Sequence, residues 1–167
     1  LVGLLQHRQP GGGSGGLGNL TLTELVNPSV ITLSSGNALP APVIIGIGGR
    51  IAPTQTIEND ASGDVELGAL FDPANDGLDF YESLEGMLVQ INNALAVGPT
   101  SDFGETVVVA DNGANAGERQ VRGGVVISPT DFNPERIIVD DAVIGAAMPK
   151  MNVGDRASAP ITGVVDY

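Results

Sequence analysis

Short runs of β-branched and aliphatic residues recur along this chain, separated by glycine, proline and asparagine turn signals. Residues 20–24 (LTLTE) alternate apolar and polar positions, and this period of two predicts a half-buried strand. We predict that this strand pairs with residues 30–33 (VITL), because an Asn27-Pro28 turn lies between them. Further short strands are predicted at residues 1–6, 43–45, 87–91, 105–110, 124–127, 136–139 and 161–165.

One segment, residues 79–86 (DFYESLEG), predicts a short helix instead. Asp79 can cap its start, and Glu82 follows three residues later, as in a capping box. Gly86 suits the left-handed position that ends a helix. Since many short strands accompany a single short helix, the predicted fold class is all-β, an OB-like or Greek-key barrel or sandwich.

The predicted domain boundary falls near residue 48. Residues 1–48 predict a partial β module, with a glycine-rich loop at residues 11–16 (GGGSGG) and a proline-rich crossover at residues 39–42 (LPAP). Residues 49–167 predict an OB-like β module. The alternative is one continuous domain over residues 1–167, a length that suits a single domain.

Composition restricts the classes of partner and chemistry. The 20 acidic residues outnumber the 7 basic ones, and the formal charge of −13 disfavours binding of nucleic acid unless metal ions assist. The absence of cysteine excludes disulfides, thiolate zinc sites and cysteine catalysis. No apolar run approaches the roughly 20 residues that span a bilayer, so no membrane partner is predicted. Leu1 in place of Met predicts a processed or excised piece.

Residues 72–79 (DPANDGLD) form the best candidate site in the sequence. Asp72, Asp76 and Asp79 supply carboxylates within eight residues, and Gly77 permits a sharp turn, as oxygen ligands of Ca²⁺ or Mg²⁺ require. The spacing departs from that of an EF-hand, and a solvated acidic turn is the alternative interpretation. Asp140-Asp141 is a paired carboxylate that fits either a cation or an exposed turn.

No catalytic residue and no organic cofactor are assigned from the sequence. His7 is the single histidine, which excludes metal sites with two histidines and mechanisms that need a separate histidine acid and base. No serine lies in the G-x-S-x-G context of a nucleophile elbow. The only cofactor predicted is therefore a Ca²⁺ or Mg²⁺ ion, and none is required.

Several segments resemble the region that precedes the catalytic domain in secreted bacterial nucleases of the endonuclease/exonuclease/phosphatase superfamily. The most specific is residues 81–87 (YESLEGM), within residues 71–89. The others are residues 39–43 (LPAPV), 132–137 (FNPERI), 140–141 (DD) and 153–167, which run from VGD to GVVDY. The similarity covers nearly the whole chain.

The resemblance implies an OB-fold-like accessory module of an extracellular protein, which positions substrate or spaces the catalytic nuclease domain of the same parent chain. Catalysis in that superfamily uses Asn, Glu, His and Asp residues of a separate domain, so no activity is expected of this chain alone. Nucleic-acid binding would be weak and metal-dependent.

A structural role is the alternative function. Residues 1–5 (LVGLL) match residues 161–165 (ITGVV) in apolar pattern and glycine placement, so both chain ends read as strands that need neighbours. Such strands pair with other chains, which would give a homo-oligomer, or an extracellular filament or matrix.

Overall fold

The computed structural model describes residues 2–8, 21–63, 65–141, 144 and 147–166. The glycine-rich loop that the sequence predicts at residues 11–16 lies outside these ranges. The chain divides into two compact units: one comprises Leu1–Pro40, Asp60–Leu70 and Tyr167, and the other comprises Ala41–Asn59 and Phe71–Asp166.

The first unit contains a two-stranded antiparallel sheet of β1 (Val2–Arg8) and β2 (Leu22–Ser29). It also contains one helical turn, α1 (Val65–Gly68). The pairing register shifts near the start of β1, where Asn27 and Pro28 of β2 oppose a single residue. Asn27 has a φ of 48°, so this pair forms a bulge within a continuing strand. A bulge tolerates proline, which has no N–H to give to the ladder.

The predicted pairing of residues 20–24 with residues 30–33 is therefore wrong. The partner of β2 is β1, and residues 30–33 are exposed chain outside any strand. The strand predicted at residues 124–127 is also wrong, because only one isolated bridge, between Val125 and Arg119, forms there.

The second unit holds two three-stranded sheets. One has the order β3-β4-β8, formed by β3 (Val43–Ile45), β4 (Leu88–Ile91) and β8 (Ile161–Val164), with β3 parallel and β8 antiparallel to β4. The other is an antiparallel meander of β5 (Leu95–Ala96), β6 (Thr106–Val109) and β7 (Ile137–Val139). A 3₁₀ turn covers Asp111–Gly113.

The fold class is all-β, as predicted. The longest helix in the described ranges is α2 (Gly77–Glu82), which has six residues. It begins at Gly77, with Asp76 at the N-cap, so Asp79 lies in the first turn and is not the cap that the sequence predicted. Gly86 has the left-handed conformation that the sequence predicts, with a φ of +69°, but it does not end the helix: α2 ends at Glu82 with Ser83 as its C-cap, and Gly86 lies three residues beyond Ser83 in a turn. No helix among the described residues is long and apolar enough to cross a membrane.

The core of the second unit forms where α2 and the residues after it pack on the β3-β4-β8 sheet. Phe80 and Leu84, four residues apart and hence on one side of the chain, are almost fully buried against Ile45 and Val89. The Arg50 guanidinium lies 5.0 Å from the centre of the Phe80 ring. A second small cluster, Ile91, Ala94 and Val108, joins the two sheets where β4 leads into β5.

Candidate metal centre

Three carboxylates meet at the start of α2. Glu58, Asp76 and Asp79 each offer a carboxylate oxygen, and the three oxygens lie within 4.8 Å of one another. Asp76 and Asp79 are buried, at 1% and 9% exposure, and Glu58 is half-buried. Three like charges in a poorly hydrated place repel one another, and a divalent cation with oxygen ligands would relieve that repulsion.

Backbone hydrogen bonds bring Glu58 to this position. The first N–H groups of a helix have no partner within it, and here the N–H groups of Gly77 and Leu78 donate to the carbonyls of Thr56 and Ile57, both at 3.0 Å. The segment that satisfies the start of α2 therefore continues directly into Glu58. This contact joins residues about twenty positions apart in the sequence.

Hydrogen bonds also orient the carboxylates of the group. The Asn59 side-chain amide donates to Asp76 Oδ1 at 2.9 Å, and the Asn59 backbone N–H donates to Glu58 Oε1 at 2.8 Å. The Asp72 backbone N–H donates to Asp79 Oδ2. These donors fix the side chains in place without supplying a positive charge.

The structure brings together two of the three predicted ligands. The side chain of Asp72 is directed into its own turn: Oδ1 accepts from the Ala74 N–H at 3.3 Å, and Oδ2 accepts from the Asn75 amide at 2.8 Å. Asp72 thus contacts the group through its backbone. The third carboxylate of the group is that of Glu58, which was not predicted, in place of that of Asp72. The second candidate pair is separate, because the Asp141 carboxylate accepts from the Met148 N–H at 2.7 Å and packs beside Gly104.

The comparisons with known proteins give a family. Residues 44–167 match the family described as a domain of unknown function (DUF8508). The chain belongs to the DUF8508 family. No curated protein and no solved structure gives a significant match.

The DUF8508 region includes the whole acidic group and both sheets of the second unit except Val43, the first residue of β3. It also includes a second set of buried polar side chains that was not among the predicted sites: Asp131, Asn133 and Glu135, at 6%, 2% and 7% exposure. The alternation of oxygen-bearing side chains at positions 131, 133 and 135 is the signal that could have revealed it.

Two groups in this part of the DUF8508 region have shifted acidity. Burial raises the pKa of Glu135, and the charge of Asp131 raises it further, against hydrogen bonding from the Gly117 N–H and the nearby charge of Arg136. Burial is also the main reason that the pKa of Tyr81 lies above its usual range, with the charge of Glu135 as the second cause. Both shifts reflect the cost of negative charge in this part of the interior.

Proposed function

We propose that this chain is a non-catalytic β module of a secreted, nuclease-like protein, and that it binds Ca²⁺ or Mg²⁺ through Glu58, Asp76 and Asp79. The observation that carries the cation-binding part is the convergence of three carboxylate oxygens within 4.8 Å. Hard divalent cations prefer such oxygen donors, and Ca²⁺ accepts irregular arrangements more readily than Mg²⁺.

The accessory role is supported by where the resembling residues lie. Residues 71–89 carry the clearest resemblance to the nuclease region, and they include Asp76, Asp79, α2 and β4. Phe80 and Leu84 of this segment are core residues. The two aspartates would bind the cation, and the two core residues would keep the segment rigid. A rigid, cation-binding segment suits a module that positions or spaces the catalytic nuclease domain of the same parent chain.

The net charge of −13 makes a bound cation important for any contact with nucleic acid. A divalent ion would lower the local negative charge and could bridge to a phosphate, whereas the chain alone would repel the backbone. We therefore propose weak, metal-dependent binding of nucleic acid at most. A secreted location would expose the site to free Ca²⁺.

The test of cation binding is calorimetric titration of the chain with Ca²⁺ and with Mg²⁺, together with thermal unfolding. A cation at 100 times its Kd should stabilise the fold by about 2.7 kcal/mol. We expect Glu58→Gln and Asp76→Asn to weaken binding and to remove most of that stabilisation. Asp102→Asn is the matched control, because Asp102 is an exposed carboxylate outside the group. Equal affinity in Asp76→Asn and Asp102→Asn would refute the site.

The test of the accessory role is a cleavage and binding assay with single-stranded and double-stranded DNA. We expect no cleavage by the chain with either cation, and retention of DNA that weakens with salt and requires the cation. Cation-dependent cleavage that Asp76→Asn abolishes would instead make the chain an enzyme.

Assembly into an extracellular polymer is the second candidate, favoured by one observation. In the described residues, β1 and β2 pair only with each other. A two-stranded ribbon is marginally stable alone, and its open edges can accept strands of other chains. Light scattering over a concentration series would show growing mass if this is the function, whereas a monomer at every concentration would exclude it.

A further inference from the structure

Residues 131–135 reverse the usual orientation of polar and apolar side chains. Asp131, Asn133 and Glu135 are buried, whereas Phe132 between them is 43% exposed. Burial of polar groups lowers stability unless each one finds a partner. The alternation therefore places three oxygen-bearing side chains in the interior, where they need either hydrogen-bond donors or a bound ion.

Hydrogen bonds satisfy only part of this demand. Asp131 Oδ1 accepts from the Asn133 N–H at 3.1 Å, and Glu135 Oε1 accepts from the Gly117 N–H at 2.9 Å. The Asn133 amide donates to the Val126 carbonyl at 2.9 Å, which fixes its orientation. Asn133 Oδ1 and Glu135 Oε2 are buried and accept no hydrogen bond in the part of the chain that the structure describes. A buried acceptor without a donor destabilises a fold by roughly 1–3 kcal/mol.

Both carboxylates of this set meet at Gly117. Its N–H holds Glu135 Oε1, and a Cβ at this position would overlap the Asp131 carboxylate. Gly117 thus allows the two acids to approach the same stretch of backbone. The positive side chain nearest in sequence, Arg136, is exposed, and its Nε donates to the Asn133 backbone carbonyl at 3.4 Å.

We propose that Asp131, Asn133 and Glu135 form a second cation site, which binds a hard divalent ion of the Ca²⁺ type. The ligands are the Asp131 carboxylate, Asn133 Oδ1 and Glu135 Oε2. Oxygen ligands at every second residue of a loop are the arrangement that Ca²⁺-binding loops use in their first positions. The donors are all oxygens, which favours Ca²⁺ over metals that prefer nitrogen or sulfur.

This inference does not rest on the group at Glu58, Asp76 and Asp79, because the two sets share no residue. Two carboxylates and one amide match the charge of a divalent ion. The bound ion would give Asn133 Oδ1 and Glu135 Oε2 the partner that the described residues do not supply.

The test uses Tb³⁺ as a probe of Ca²⁺ sites, with tyrosine as the sensitiser. The chain has two tyrosines and no tryptophan, and Tyr81 is near enough to Glu135 for the charge of Glu135 to contribute, after burial, to the raised pKa of Tyr81. In the double variant Glu58→Gln/Asp76→Asn we expect Tb³⁺ luminescence that Ca²⁺ displaces. Addition of Glu135→Gln should weaken this binding by about tenfold or more, because affinity follows the charge of the ligands. Asp102→Asn should leave it unchanged.

Calorimetry with Ca²⁺ separates this inference from the proposed function. Two ions per wild-type chain, with one remaining in Glu58→Gln/Asp76→Asn, supports both sites. If that double variant binds none while the wild type binds one, the Asp131 site is refuted and the first site stands. If the wild type binds one ion and Glu135→Gln abolishes that binding, the first site is refuted and the Asp131 site stands. A wild type that binds no ion refutes both sites. Far-UV circular dichroism checks folding. If Glu135→Gln does not fold, the stoichiometry of the double variant decides.

Discussion

Gly86 gives a direct test of the helix-to-strand junction that the sequence predicts. It follows α2 with a φ of +69°, and its N–H donates to the Val165 carbonyl at 2.9 Å. Apart from its two chain neighbours, no described residue has an atom within 4 Å of the position that a Cβ would occupy. In Gly86→Ala the penalty therefore comes from the backbone conformation and not from a collision.

The magnitude follows from two opposing terms. A left-handed conformation destabilises an L-residue by about 1–2 kcal/mol. The lower entropy of alanine in the unfolded chain offsets about 0.4–1 kcal/mol of this. We expect Gly86→Ala to lower the free energy of unfolding by about 1 kcal/mol, or Tm by about 2–4 °C for a domain of this size.

Gly163→Ala is the matched control. Gly163 lies opposite Val89 in the β4–β8 ladder, its added Cβ would also meet open space, and it is not among the glycines with positive φ. The same chemical change should therefore be neutral or slightly stabilising. Urea unfolding of both variants measures the difference. If the two variants agree within about 0.3 kcal/mol, the left-handed conformation of Gly86 does not constrain the junction.

Three further predictions concern the second unit. Leu84→Ala removes a fully buried core side chain and should lower the free energy of unfolding by about 2–5 kcal/mol, and a loss below 1 kcal/mol in urea unfolding would contradict its core position. Gly77→Ala places a Cβ against the Pro134 ring and should lower the free energy of unfolding by about 1–3 kcal/mol, more than Gly86→Ala does. If Gly77→Ala and Gly86→Ala have equal Tm values, the Pro134 ring moves aside and the prediction is wrong. Glu135→Gln should raise Tm at neutral pH in the presence of a chelator, because burial disfavours the charged form of Glu135. This gain should vanish below the pKa of an unfolded glutamate, because Glu135 is then neutral in both the folded and the unfolded protein. A lower Tm in chelator would contradict this.

The all-β class and the position of Gly86 could be predicted because both depend on local pattern. Short apolar runs between turn residues indicate strands whichever partners they have, and a glycine after a short helical segment indicates a left-handed residue. The end of the helix was predicted too late, because α2 already ends at Glu82, before Gly86. Which strands pair with one another could not be predicted in the same way. Asn27-Pro28 is typical of a turn in the sequence, and it becomes a bulge because β1 offers β2 a longer partner than residues 30–33 do.

The candidate sites show the same division between local and long-range information. Asp76 and Asp79 lie three residues apart, so their proximity could be read from the sequence. Glu58 could not, since its position depends on the hydrogen bonds between residues 56–57 and the start of α2. The alternation at residues 131–135 is visible in the sequence. However, polar residues at every second position normally mark the solvent side of a strand, and only the structure shows that they face inward.

The same backbone segment supports both acidic sets. The Thr56 and Ile57 carbonyls accept hydrogen bonds from the start of α2, and the adjacent Gln55 carbonyl accepts one from the Phe132 N–H at 2.9 Å. Residues 55–57 therefore hold Asp76 on one side and the loop that begins at Asp131 on the other. Without cations, the mutual repulsion of the carboxylates within each set opposes this arrangement. We therefore expect cations to stabilise the second unit as a whole, so that its melting in chelator reports the combined repulsion of both sets.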